Sequence, residues 1–424
     1  MSKEIETIVG KIEIPRMVRV KQTFARDHIQ DVAGEVRKEL ESSGIRDRIH
    51  PGMSIAITAG SRGVANIAVI IREVVRFCQD LGADPFVIPA MGSHGGATAE
   101  GQKEILNGYS VTEKYLNCPV LCTMKVKQIA VLENGDPVQI DAYAAEADGI
   151  IVVGRVKPHT LFHDRVESGI CKMMAIGLGK QIGAEECHKY GPYHLAQRVQ
   201  QFGYAILEAA PVLGGIGIVE NAYDETAIIR AFDREEIRDG EPALLDEARK
   251  MMPPLPFAYC DLMIVDEIGK NISGDGMDPN VTGRYVVQGL SSEPESNRMV
   301  VLDITDESHG NGNGIGYADM TTQRAFDKFD RDKTYPNALT SQIMDLTRIP
   351  PVFPNDRQCI QAALKCVFGL TDPRSAKVIR IKNSARADEF EISEALIPEA
   401  EKIPNLRITS EPYELAFNEE GNLF

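Results

Sequence analysis

The sequence lacks any apolar run long enough to span a bilayer, and its start, MSKEIETIVGKIEIP, holds no apolar stretch of signal-peptide length. Membrane insertion and export through a leader are therefore not expected. Cysteine is present without pattern: the eight residues at 78, 118, 122, 171, 187, 260, 359 and 366 form no CxxC pair and no framework spacing. That excludes a disulfide scaffold and reads as reduced thiols in a cytoplasmic protein. Basic charge is in deficit, with 46 Lys and Arg against 62 Asp and Glu and a net charge of −16. Neither a phosphate backbone nor an anionic lipid surface favours such a balance, which excludes nucleic acid and membrane as main partners. A small anionic substrate remains compatible with an acidic shell, provided its pocket is locally basic. Tryptophan, internal repeats and low-complexity tracts are absent too.

What is present is ordinary globular material, 43% hydrophobic and 25% charged, over 424 residues. That length exceeds a typical single core, so two domains are expected. The run MSIAIT (53–58) leads into the loop AGSRGVAN, a helix from about Ile67 to Leu81, the run DPFVIPA and the loop MGSHGGAT. Strand, polar loop, helix and strand again is the pattern of parallel α/β units. GIIVVGR (149–155) and GGIGIVEN (214–221) read as further strands. A proline-rich break at MMPPLPFAYC (251–260) precedes a second unit, with DLMIVDEIG and RMVVLDIT as its strands. The expected architecture is two α/β domains with parallel-type sheets, 1–252 and 253–396, and the active site in the cleft between them. A tail, 397–424, is expected to pack back on the first domain. Working residues in such sheets collect at the carboxyl ends of the strands, where Arg62, His94 and His159 all fall.

Several residues carry possible chemistry. His94 sits between glycines in MGSHGGATAEGQ, where Thr98 also reads as a helix N-cap. His159 and His163 give an HxxxH spacing that would bind a divalent metal on a helix, although Pro158 and the polar HDRVE argue against a regular helix there. Lys172, in SGICKMMAIGLGK, is either on the outer side of a strand or drawn into a pocket, where burial would free its amine as a nucleophile. Gly177, Gly179 and Gly183 resemble a phosphate-cradling loop only loosely. His188 follows on a presumed helix, with Cys187 pointing about 100° away from it. From the residues alone the segment is a cofactor or metal cleft with histidines.

The order Arg62, His94, His159, Lys172, His188 resembles the nickel-dependent lactate racemase family, whose members include other 2-hydroxyacid racemases and epimerases. The resemblance is motif-level over about 53–220 and vaguer beyond. It implies a nickel-pincer nucleotide, a pyridinium mononucleotide with thioamide and thiocarboxylate arms, matured by separate biosynthetic enzymes. By this resemblance Lys172 matches the covalent anchor and His188 the nickel ligand. His94 and His159 match the acid–base pair, and Arg62 a residue holding substrate or cofactor. Gly177 and Gly179 would flank the cofactor, while Lys270, Asn271 and Asp275 occupy the substrate-contact region of the second domain, near Asp278. Two soft sulfurs, a carbanion and an imidazole suit square-planar Ni(II) better than zinc. A C–H beside a hydroxyl and a carboxylate resists proton abstraction, so hydride transfer to the cofactor supplies what acid–base groups alone cannot.

The sequence departs from the family pattern in ways that bear on substrate. TAGSRGVAN has no Asp near Arg62, and His94 is followed by Gly95 and Gly96 where the family often carries an arginine. DEIGKNISGDGMD lacks the Gln and Lys associated with substrate contacts. These changes spare the cofactor positions and favour an acid larger and more hydroxylated than lactate, such as a sugar acid. The competing expectations are a cofactor-free racemase with Cys171 and Cys187 as thiolate bases, and a non-catalytic protein that binds a small acid.

Overall fold

A strand apolar at successive positions must be covered on both faces, and Ser54–Ala59 is buried at every position after its first. The computed structural model describes residues 3–61 and 63–424 and shows why. In the five-stranded sheet of the first unit the order is Asp84–Pro89, Ser54–Ala59, Gly149–Arg155, Val212–Glu220, Thr226–Asp233. The first four run parallel and the last is antiparallel. Ile55 and Ile57 enter one core with Val74 and Phe77 of the helix Ile67–Asp80. Ala56, Ile150 and Val152 enter the opposite core with Val199 and Phe202 of the helix Pro192–Ala209. Alternate side chains thus feed two cores, which is the period-two geometry of a strand buried on both sides.

The chain folds as two compact units: Ala25–Met252, and Met1–Phe24 together with Pro253–Phe424. Assignment of residues 1–24 to the first domain is therefore corrected. The strand Met17–Gln22 lies between Glu389–Ser393 and Leu406–Ile408, antiparallel to both, and this pairing draws the N-terminal segment into the second unit. The tail is corrected likewise: its Leu406–Ile408 strand is the edge of the second unit's sheet, beside Met17–Gln22, and 397–424 belongs to that unit.

The second unit's eight-stranded sheet is mixed rather than parallel throughout. Its order is Val352–Phe353, Met320–Thr322, Glu295–Ile304, Tyr259–Ile268, Val378–Ile381, Glu389–Ser393, Met17–Gln22, Leu406–Ile408. The first five are parallel and the remaining pairings antiparallel. Tyr259–Ile268 at its centre is a near-continuous buried run, whereas Met17–Gln22 alternates after its first two residues, matching a strand in the antiparallel half. Among the described residues no helix is long and apolar enough to cross a membrane.

Candidate active site

The segment from Ile170 to His188 is helical but irregular: a short helix Ile170–Lys172, a π-helical stretch Met173–Leu178, then a helix Lys180–His188. Lys172 is thus on a helix and not on a strand. Widened helical turns of this kind recur at functional sites. The segment packs against the carboxyl ends of the parallel strands. The Gly92 N–H donates to the Gly177 carbonyl at 3.3 Å. A Cβ at Gly154 would stand 2.9 Å from Met173, and one at Gly60 3.5 Å from it. A Cβ at Gly177 would lie 2.8 Å from the Ala90 carbonyl oxygen, and one at Gly179 2.9 Å from that of Ala175. Both glycines are buried, and their missing side chains answer a packing demand.

His94 closes the turn after the Asp84–Pro89 strand. Its Nδ1 lies 2.7 Å from the Met91 carbonyl oxygen. A carbonyl only accepts, so Nδ1 carries the proton and the neutral ring keeps its lone pair on Nε2. The loop is held from beneath: the Gln102 amide donates to the carbonyls of Gly92 at 3.0 Å and His94 at 3.2 Å. Thr98 caps the next helix as expected, its hydroxyl accepting from the Gly101 N–H.

Lys180, which sequence reasoning missed, fixes Gln102 in turn. It is fully buried, adopts a positive φ of 54°, pairs with Asp141 at 2.9 Å and donates to Gln102 Oε1 at 3.2 Å and to the Pro89 carbonyl. Burial pushes its pKa down, and the Asp141 carboxylate opposes that. Asp141 also accepts the N–H groups of Tyr143 and Ala144, capping the helix Ala142–Glu146. Through Lys180, GLGKQIGA thus supplies an ion-pair support for the His94 loop.

His159 shows the opposite tautomer. Its Nδ1 accepts the Leu161 N–H at 3.1 Å, so in the neutral ring the proton resides on Nε2. That Nε2 faces Lys172 Nζ at 2.5 Å, and the ring stacks on Phe162 with centroids 4.2 Å apart. The 159–163 stretch is not helical, which removes the HxxxH metal site. His163 bonds instead to Glu167 at 3.1 Å. Glu167, fully buried and also missed, accepts the His159 N–H at 2.5 Å and pairs with Arg249 at 2.6 Å, and so holds the whole loop.

His188 ends its helix with Nδ1 2.7 Å from the Ala184 carbonyl oxygen, leaving the Nε2 lone pair as its ligating position. Among the described residues no three His, Cys, Asp or Glu side chains group to hold a metal. A lone imidazole would be enough for a metal whose other donors arrive on a cofactor, and an amine such as that of Lys172 could tether one, so the residues present are compatible with the nickel-pincer nucleotide that the sequence resemblance implies.

Burial disfavours the thiolate-base alternative for Cys171 and Cys187. Both are fully buried, and burial pushes the Cys187 thiol up to about 12 and that of Cys171 well above its ordinary value. Arg62 lies outside the described residues. Lys270, Asn271 and Asp275 belong to the second unit, in the loop after Tyr259–Ile268. There Lys270 donates to the Gly274 carbonyl at 2.5 Å, Asn271 accepts from the Thr305 hydroxyl at 2.7 Å, and Asn313 lies 3.4 Å from Asp275.

Residues 7–186, including His94, His159 and Lys172, match the lactate racemase N-terminal domain. That match covers the first unit's N-terminal part and makes the chain similar to lactate racemases there. The fold agrees: the lactate racemase apoprotein from Thermoanaerobacterium thermosaccharolyticum is similar over 89% of this chain and 94% of its own, with a TM-score of 0.52 and 13% identity. At that identity the likeness is one of fold. No curated protein sequence matches the chain.

Proposed function

We propose that this protein is a lactate racemase-like enzyme that inverts the C2 centre of a 2-hydroxyacid, with Lys172 anchoring a nickel-pincer nucleotide and His188 ligating its metal. The family and fold support a racemase-type isomerase. The observation that carries the reading further is the pair of opposite tautomers. His94 offers a lone pair at Nε2, and His159 offers a proton at Nε2. One imidazole is set by its backbone contact to take the hydroxyl proton and the other to return it. When bound, the nucleotide would supply a reversible hydride acceptor, which no side chain here provides. Lys270, Asn271 and Asp275 are proposed as substrate contacts, and their polarity suits an acid with several hydroxyls.

Chiral chromatography of a panel of 2-hydroxyacids, from lactate to sugar acids, tests the reading on enzyme produced with the cofactor's biosynthetic enzymes. Inversion of at least one acid is expected. His94→Gln should lower turnover by about 10²-fold or more, the range for a positioned acid–base group, without loss of the adduct. Full turnover by that variant would remove His94 from its role.

A further inference from the structure

We infer that His159 has a duty before turnover: it holds Lys172 as an uncharged, nucleophilic amine for covalent attachment of the cofactor. Nζ of Lys172 and Nε2 of His159 are 2.5 Å apart, so one nitrogen donates and the other accepts. An ammonium has three donors and no acceptor, so a charged lysine needs a lone pair on Nε2 and hence a proton on Nδ1. Nδ1 is already the acceptor of the Leu161 N–H at 3.1 Å, and a proton there would set two donors against each other. The ring cannot easily turn to evade this conflict, because it is only 7% exposed and stacked on Phe162. Both contacts are satisfied only when Nε2–H donates to the lone pair of a neutral amine.

Three ionisable groups of the surrounding elements are already engaged. Cys187 is held as a thiol by burial. Glu167 is engaged by the His159 N–H and by Arg249, and Glu241 accepts from the backbone at the start of the Lys172 helix. The inference rests on Lys172 being the anchor. In the attachment a C–N bond forms between Nζ and the thiocarboxyl carbon of the nucleotide's arm, and that carbon's C–O bond breaks. The oxygen leaves as water with one hydrogen from the amine and one proton from solvent, and nothing is oxidised or reduced. The tethered nitrogen no longer presents a basic lone pair, so Nε2–H of His159 is released to serve the substrate. One histidine would thus act first on the anchor and then in turnover.

The test uses the cofactor-free chain and a plain amine acylator, the N-hydroxysuccinimide ester of acetic acid, at limiting concentration near pH 7, with peptide mass mapping. An ordinary lysine is only about one part in 10³ uncharged at that pH. Lys172 should therefore be acetylated at least about tenfold faster than exposed Lys38, despite being half-buried. His159→Gln keeps the size and a contact to Nζ, but its amide oxygen accepts from an ammonium. Lys172 in that variant should react no faster than Lys38. Equal rates for Lys172 and Lys38 in the parent chain, or an unchanged Lys172 rate in His159→Gln, would overturn the inference. Coproduction with the biosynthetic enzymes separates the two readings. Parent and His159→Gln chains that load at the same rate uphold the anchor and sink the role of His159. A fast, His159-dependent Lys172 that never acquires the nucleotide upholds the dyad and sinks the anchor.

Discussion

Lys180 illustrates how a buried charge can be structural and still serve the site. It and Asp141 are both fully buried, and the lysine also braces Gln102 beneath the His94 loop. Removing one member of such a pair leaves the other uncompensated. Lys180→Met should cost about 3–5 kcal/mol in urea unfolding, whereas Lys180→Met with Asp141→Asn should cost clearly less. Equal losses for the single and double variants would show that the ion pair itself is unimportant. Glu241 makes a different residue-scale case. Its carboxylate accepts the Cys171 N–H at 2.9 Å, and burial raises its pKa to about 7. The folded state then holds a proton that the unfolded chain releases near the ordinary glutamate value of 4.5. Its contribution to stability is therefore full at low pH and declines as pH rises from about 4.5 to about 7. Thermal unfolding should show that decline lessened in Glu241→Gln, and an unaltered pH profile would contradict the assignment.

At the scale of elements, the fit between the π-helical stretch and the strand ends is governed by Gly177. A Cβ there would press on the Ala90 carbonyl, which is backbone and cannot swing aside. Gly177→Ala should destabilise the unit by about 1–3 kcal/mol and loosen the contact between the Lys172 segment and the turn before His94. Urea unfolding at the parent's stability would refute the packing account. Much of this layer was legible beforehand. Ser54–Ala59, the helix from Ile67 and Gly149–Arg155 all follow from local apolar periodicity, and Thr98 from cap chemistry. The helical state of Lys172 was not legible, because CKMMAIGLGK mixes β-compatible apolar residues with glycines and has no polar face to set a helical period. Lys180 and Glu167 went unnoticed because a charge normally marks a solvated face, and only the fold reveals that these two are buried and paired.

At the scale of the whole molecule, the break after Met252 was visible in its prolines, but the return of the N-terminal strand was not. Met17 pairs with Ser393 and Val20 with Ile408, contacts between opposite ends of the chain that no local pattern specifies. The chemistry is likewise distributed. His94 and His159 follow separate strands, Lys172 and His188 share one helical segment, and each imidazole's proton is directed by a backbone group. Sequence order supplied the candidates, and the fold supplied the tautomers on which their proposed roles rest.

The central claim is that Lys172 anchors a nickel-bearing nucleotide. Intact mass and nickel content of the chain, produced together with the cofactor's biosynthetic enzymes, test it most directly. The account predicts a nucleotide-sized adduct on Lys172 and about one nickel per chain, as a single site with one protein imidazole requires. Nickel should be depleted in His188→Ala while the adduct persists. An unmodified Lys172 under conditions where the biosynthetic enzymes are competent would contradict the claim.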